Sequence, residues 1–164
     1  MTTGFLLAEQ LPLNEAIKQS ARGIEEELPR GTKVFVVNFN SPAAKFSEYI
    51  VEELTSELIE GRKLIVVDRS NLNTIRQELN LSLSGEISDK SALSIGRMLG
   101  AQNIITGTLT EMGTFHRFRL RIINTETAAI QRQITNELQN NENNIESSKF
   151  IFGSRGYFGL GYAF

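Results

Sequence analysis

Four consecutive apolar residues, Val34–Val37, constrain the fold of this chain more than any other part of its sequence. A strand with one wet face alternates apolar and polar side chains, whereas an unbroken apolar run is typical of a strand that is buried on both faces. Pro29-Arg30-Gly31 precedes the run and stops any earlier helix before the strand begins. The run therefore predicts a strand over Lys33–Phe39 inside a sheet, with helices packed against that sheet.

Helical periodicity surrounds this strand. Apolar residues recur every three or four positions before it and in three segments after it, as they do on the buried side of a helix. The predicted helices cover Glu15–Leu28, Pro42–Gly61, Arg69–Asn80 and Asp89–Leu99, and a short apolar strand at Leu64–Val67 separates the second from the third. Short polar side chains favour helix starts, so the predicted caps of the first three helices are Asn14, Ser41 and Asp68, and Ser88-Asp89 opens the fourth.

The apolar period changes from helical to two after the last of these helices. Three strands are predicted there, over Asn103–Thr110, Phe115–Asn124 and Ala128–Leu138, and short turns join them. Strands joined in this way form an antiparallel meander. The whole pattern predicts an α/β (α+β) sandwich, in which a mixed sheet ends in that meander and carries three to four packed helices.

Two glycines lie inside these elements, where glycine is unfavourable. Gly96 falls in the middle of the last helix and costs about 1 kcal/mol relative to alanine there, which predicts a close approach of that helix to the sheet. Gly107 falls inside a strand and predicts a bulge or a close contact.

The second strand of the meander carries two different faces. Its alternating residues are Phe118, Leu120 and Ile122 on one side, and Arg117, Arg119 and Arg121 on the other. Guanidinium groups bind carboxylates and phosphates through two parallel hydrogen bonds, so the three arginines form the candidate partner-binding face. The alternative is a solvated or locally ion-paired outer face, which is common on antiparallel sheets.

The sequence predicts no catalytic, cofactor-binding or metal-binding residue. It has no cysteine and one histidine, His116, which is interpreted as an exposed turn residue rather than a general base. The acidic groups at Glu25–Glu27 and Glu52-Glu53 fall on the wet sides of their helices, and no glycine-rich stretch matches a phosphate-binding loop. A net charge of −2 argues against nucleic acid as a partner.

The end of the chain alternates in another way. The bulky residues Phe158, Leu160, Tyr162 and Phe164 are separated by glycine or alanine, so a strand there has one apolar face and one nearly bare face. This pattern is typical of transmembrane barrel strands, and a soluble core strand is the alternative. The polar segment at 136–149 favours the membrane interpretation, because a core strand rarely follows such a linker. These four bulky residues are therefore the candidate membrane-facing set.

The chain divides into four parts. Residues 1–10 contain a short apolar run, Gly4–Ala8, which resembles the end of a secretory signal peptide, and a frayed terminus is the alternative. Residues 11–135 form the predicted α/β domain, and residues 136–149 form a polar linker. Residues 150–164 form the amphipathic aromatic and glycine-rich strand.

Three segments resemble a known family, in the same order along the chain. They are Val66–Leu79, which begins Val-Val-Asp-Arg, Ala92–Leu109, which contains Leu-Gly-Ala and Thr-Gly-Thr, and the turn at Ile122–Ala128. Together they are similar to the curli-secretion-channel (CsgG) family over residues 32–135. The α/β domain of that family is in turn similar to LpoB, a penicillin-binding-protein activator, and to the N-terminal domain of TolB.

The resemblance implies a cell-envelope protein that is not an enzyme. It predicts a module that is exported to the periplasm, is associated with the outer membrane through its C-terminal segment, and needs no cofactor. Its expected partner is an envelope protein or a peptidoglycan-associated molecule, and a homo-oligomer is compatible with the same family. Three alternatives stay open: an LpoB-like activator of a peptidoglycan synthase, a cytoplasmic nucleic-acid-binding module with an anticodon-binding-like fold, and an enzyme. The sign of an enzyme would be a deep pocket that places His116 beside acidic residues.

Overall fold

The computed structural model describes residues 10–81 and 87–139 of the 164-residue chain. Within these ranges the elements follow in the order α1 Leu13–Glu27, β1 Lys33–Asn40, α2 Ala44–Gly61, β2 Ile65–Val66, α3 Leu72–Glu78, α4 Asp89–Met98, β3 Asn103–Glu111, β4 Phe115–Asn124 and β5 Ile130–Gln139.

The five strands form one mixed sheet in the order β2-β1-β3-β4-β5. β1 pairs in parallel with both of its neighbours, whereas β3, β4 and β5 form the antiparallel meander that the period-two pattern predicts. The predicted fold class is therefore confirmed, with four helices packed on the sheet within the described ranges.

β1 is buried on both faces, as its unbroken apolar run predicts. Val34 and Val36 pack with α1 and α2, in a core that also contains the inward residues of β4. Phe35 and Val37 point to the opposite side and pack with α3 and α4. The sheet therefore has a separate hydrophobic core on each face.

The helices cover the two faces unequally. α1 and α2 together contact strands from β2 to β5 on one face. On the other face α4 lies over β1 and β3, and β4 contributes Ile123 to that core. Among residues 10–81 and 87–139, no helix covers most of β4 and β5 on this second face, and alternate residues of both strands are exposed or half-buried there.

Gly96 and Gly107 both lie at close approaches. A side-chain carbon added to Gly96 would overlap Ile104 of β3 and would also press on Thr125, so glycine lets α4 reach the sheet. A carbon added to Gly107 would overlap the ring of Phe39 on the neighbouring strand. The irregularity in pairing lies in β1 rather than in β3, because the register with β3 skips Val37.

The caps predicted for the first three helices are wrong. α1 begins after Pro12, so Asn14 lies inside its first turn and accepts a hydrogen bond from the backbone N–H of Glu15. Ser41 donates to the carbonyl of Ala43 instead of capping α2, which begins two residues later than predicted. These starts depend on local contacts that compete with the capping geometry.

Asp68 also does not cap a helix. Its carboxylate accepts hydrogen bonds from the backbone N–H and the hydroxyl of Ser70, which lower the pKa of Asp68. The helix starts only at Leu72, and Arg69, before it, extends its side chain back to carbonyls of β1. Ser88, in contrast, caps α4 by accepting from the backbone N–H of Ser91 at 3.2 Å.

The domain extends beyond its predicted end at residue 135. β5 continues to Gln139, so the first four residues assigned to the polar linker belong to the sheet. Leu138 is buried and lies beside Leu11, whose backbone N–H donates to the carbonyl of Glu137 at 2.9 Å. The predicted strand Ala128–Leu138 already overlaps the segment assigned to the linker, and the structure places this overlap in the strand.

Candidate functional site

The predicted arginine face lies on the uncovered side of β4. The side chains of Phe118, Leu120 and Ile122 are fully buried beneath α1 and α2. Arg117, Arg119 and Arg121 point the other way and are each half-buried. The alternation read from the sequence therefore places the three arginines together on the open half of the sheet.

The residues around these arginines are polar on both sides. Opposite them in register stand Thr106, Thr108 and Thr110 of β3 and Gln133, Thr135 and Glu137 of β5. We call this surface, made of the three arginines and these six neighbours, the arginine face. The nine residues contain no aromatic ring, and Phe115, at the end of β4 beside Arg117, adds one ring at the edge of this surface. Proteins that bind single-stranded nucleic acid usually offer several rings on which successive bases stack.

The three arginines differ in their partners. Arg121 forms two hydrogen bonds with the carboxylate of Asp89, at 2.8 and 2.9 Å. Asp89 lies in the first turn of α4, where a negative charge also interacts favourably with the helix dipole. This pair fixes Arg121 against α4 and neutralises its charge.

Arg117 is neutralised more loosely. One of its guanidinium nitrogens lies 3.9 Å from a carboxylate oxygen of Glu137 on β5. Its guanidinium also lies over the ring of Phe115, 5.7 Å from the ring centre. Both contacts occur at a partly exposed surface, so each contributes little to stability.

Arg119, between them, has no carboxylate partner among the described residues. Its Nε is buried and donates to no acceptor in the part of the chain that the structure describes. A shallow depression of about 260 Å³ opens beside it, lined by Gly107, Thr108, Arg119, Arg121 and Gln133. Arg119 is therefore the one cation of the arginine face without a carboxylate partner among the described residues.

His116 lies on β4 opposite Glu111 of β3 and Leu138 of β5. It is half-buried rather than exposed, because it belongs to the strand and not to the turn before it. The described residues contain no group of three or more His, Cys, Asp or Glu side chains arranged to hold a metal ion.

The candidate membrane-facing residues Phe158, Leu160, Tyr162 and Phe164 lie outside the described residues, as does the predicted signal-peptide segment up to residue 9. Both assignments stay predictions. Within the described ranges, the helices are all too short or too polar to cross a bilayer.

Sequence reasoning missed a groove of about 620 Å³ at the end of β1. Its lining comes from four parts of the chain: the end of β1 with Ser41, the first turns of α2, the stretch from Arg69 to Arg76, and Ile87 before α4. The signal that could have found it is topological. Ligand sites in open α/β sheets lie at the carboxyl ends of parallel strands, but the strand order was not predicted from the sequence.

The sequence of this chain matches a family model, and its fold matches solved structures. The family model for the curli production assembly/transport component CsgG matches residues 32–119, which is more than half of the chain. No curated protein sequence matches at a significant level.

Solved structures match over most of the described domain. The C-terminal domain of LpoB from Salmonella enterica is 19% identical, with a TM-score of 0.68 over 79% of this chain and 99% of that one. The LpoB C-terminal domain from Escherichia coli is 17% identical, with a TM-score of 0.67 over the same shares. A Neisseria meningitidis lipoprotein is 15% identical, with a TM-score of 0.54 over 79% of this chain and 95% of that one.

Proposed function

Because this chain belongs to the CsgG family, we propose that it is a non-catalytic module of the cell envelope that acts by binding a partner. The family match covers β1, both parallel crossovers and the first part of β4. The proposal includes export to the periplasm and association with the outer membrane. These two points are supported by the family and by the alternating pattern at 158–164.

The arginine face is the proposed binding surface, and Arg119 is its centre. The observation that carries this assignment is the buried Nε of Arg119. Neither an acceptor for this Nε nor a helix over this part of the sheet is found among the described residues. A buried donor without a partner costs free energy, and a carboxylate from a partner would satisfy it. The proposed partner is therefore an acidic segment of an envelope protein.

A second candidate function is that of an LpoB-like activator of a peptidoglycan synthase. The supporting observation is the likeness in fold, which extends over 99% of the LpoB domain from Salmonella enterica. The two candidates differ in a direct assay, since only an activator raises the rate of glycan polymerisation or crosslinking when it is added to a purified synthase.

Replacing Arg119 with glutamine is expected to weaken partner binding by about ten-fold or more, because a charge paired in a half-buried interface contributes strongly to affinity. A photo-crosslinking amino acid placed at Thr135, which is exposed beside Arg119, would report binding as adduct yield in an envelope fraction. Arg22→Gln removes the same charge from the exposed side of α1 and is expected to leave the yield nearly unchanged.

The adduct should also decrease as salt is raised, since salt screens the attraction between guanidinium and carboxylate groups. Equal adduct yields from the Arg119 and Arg22 variants would contradict the assignment of this face. A salt-sensitive adduct with RNA, and none with protein, would instead support the cytoplasmic nucleic-acid alternative.

Export and membrane association have a separate test. The full-length gene product is expected in the periplasmic and outer-membrane fractions of its own host, and protease added to spheroplasts should degrade it. Recovery of the intact protein in the cytosol would refute this part of the proposal. Light scattering of the purified protein would show whether it forms the homo-oligomer that the family allows.

A further inference from the structure

The groove at the end of β1 lies where the chain connections diverge. From β1 the chain passes through α2, on one face, to the edge strand β2. From β2 it passes through α3 and α4, on the other face, to β3 on the far side of β1. The carboxyl end of β1 is therefore left open between the two crossovers, at the position where open α/β sheets bind ligands. A volume of about 620 Å³ is within the range of small-molecule sites.

Arg69 is held rigidly in the wall of this groove. Because β2 ends at Val66 and the pairing of β1 with β3 skips Val37, carbonyl groups of β1 at this point accept other donors. The Nη1 of Arg69 donates to the carbonyls of Val36 and Val37, the second at 3.1 Å. Its guanidinium also lies over the ring of Phe35, 5.5 Å from the ring centre. The cation is thus oriented before any ligand arrives.

The positive charge of Arg69 is not neutralised within the described part of the molecule. None of the ion pairs found there involves it. Burial lowers its pKa, the neighbouring charge of Arg76 lowers it further, and Glu52 acts in the opposite direction. A guanidinium that has lost part of its water gains more from an external carboxylate than a fully solvated one does.

The opposite wall of the groove is acidic. Glu48 and Glu52 are one turn apart on α2, both line the groove, and neither forms an ion pair among the described residues. The groove therefore has carboxylates on its α2 side and the guanidinium groups of Arg69 and Arg76 on its α3 side.

We propose that this groove binds a short peptide or an amino acid in its zwitterionic form, with the carboxylate on Arg69 and the ammonium group at Glu48 and Glu52. Val37, Leu72 and Ile87 supply an apolar lining that accepts a small side chain between the two charged ends. A ligand with a single charge would leave one wall of the groove unpaired, so the site distinguishes a free peptide from a blocked one. This site is separate from the arginine face and does not depend on its function.

The test uses the dipeptide alanyl-alanine and two blocked forms of it, titrated into the full-length protein and followed by NMR chemical shifts. The free dipeptide is expected to shift the resonances of Arg69 and of its neighbours on α2. N-acetylation removes the ammonium group and amidation removes the carboxylate, and each is expected to weaken binding about ten-fold or more. Equal binding of the free and blocked dipeptides, or no binding of the free form at millimolar concentration, would overturn the proposal.

Variants locate the site. Glu48→Gln together with Glu52→Gln is expected to weaken binding of the free dipeptide but not of its N-acetylated form, because the blocked ligand has no ammonium group to lose. Glu60→Gln, on the exposed last turn of α2 outside the groove, is the matched control and is expected to bind as the parent does.

The test uses Glu48→Gln and Glu52→Gln rather than Arg69→Gln. Replacing Arg69 would also remove the hydrogen-bond donor of two β1 carbonyls, so a change in folding would be mixed with a change in binding. Arg119→Gln is expected to bind the dipeptide normally, so failure of the arginine face and failure of the groove give different results. If the Glu60→Gln control also bound the free and the N-acetylated dipeptide equally, the placement of the ammonium group at Glu48 and Glu52 would be contradicted.

Discussion

Replacing Phe118 with alanine is expected to lower the free energy of unfolding by about 3–5 kcal/mol, the range for a large buried aromatic residue. Phe118 is fully buried on β4, and its ring stacks on that of Phe39 with 4.9 Å between the ring centres. Its backbone is held between β3 and β5, so the surrounding structure cannot collapse into the cavity that the truncation leaves. A loss of this size is a large part of the stability of a single domain.

Urea titration followed by circular dichroism would measure the effect of the Phe118 variant. Ile130→Ala is the matched control, because Ile130 lies on β5 but is 54% exposed, and its truncation is expected to cost less than about 1 kcal/mol. A similar midpoint for the two variants would show that Phe118 does not anchor the core.

Gly107→Ala is expected to cost about 2–3 kcal/mol, which is typical of an added carbon in a well-packed core. The new carbon would overlap the ring of Phe39, and that ring cannot move away because it is fully buried and stacked on Phe118. Gly31→Ala separates this steric cost from backbone strain. Gly31 has a φ of +82° and no neighbouring atoms in the way, so its cost is confined to about 1 kcal/mol of backbone strain.

A double-mutant cycle identifies the overlapping partner. In a Phe39→Leu background, where the smaller side chain leaves room, Gly107→Ala is expected to cost clearly less than in the parent, giving a coupling of about 1 kcal/mol or more. Additive losses of unfolding free energy for Gly107→Ala and Phe39→Leu would mean that the alanine conflicts with something other than Phe39.

Several features of the fold could be predicted because they depend on local periodicity. The apolar run at Val34–Val37 and the alternation of β4 are repeated over consecutive residues, so one misjudged position does not change the result. Gly96 and Gly107 were informative for a related reason. Each stands where glycine is locally unfavourable, and in both cases the structure shows the close neighbour that requires it.

Other features depend on residues far apart in the sequence and could not be predicted. Arg69 is predicted to lie in the first turn of a helix, but it precedes α3 and donates to a carbonyl of β1 that is 32 residues away in the sequence. The segment 136–138 is assigned from the sequence both to a strand and to the linker, and the bridge between Leu138 and Leu11, at the other end of the domain, shows that it belongs to the sheet. Asp89 neutralises Arg121 only because α4 brings it beside β4.

The sequence by itself determined the kinds of elements, the faces of β1 and β4, and the family to which the chain belongs. Tertiary structure alone decided that Arg119, rather than either neighbouring arginine, has no carboxylate partner in the described part of the chain, and that Arg69 lines the same groove as Glu48 and Glu52. The physical reason is the range of the forces involved. Backbone geometry gives helices and strands a fixed side-chain period, which is visible in the pattern of apolar residues along the sequence. Charge neutralisation instead depends on which distant side chains the packed helices and strands bring together.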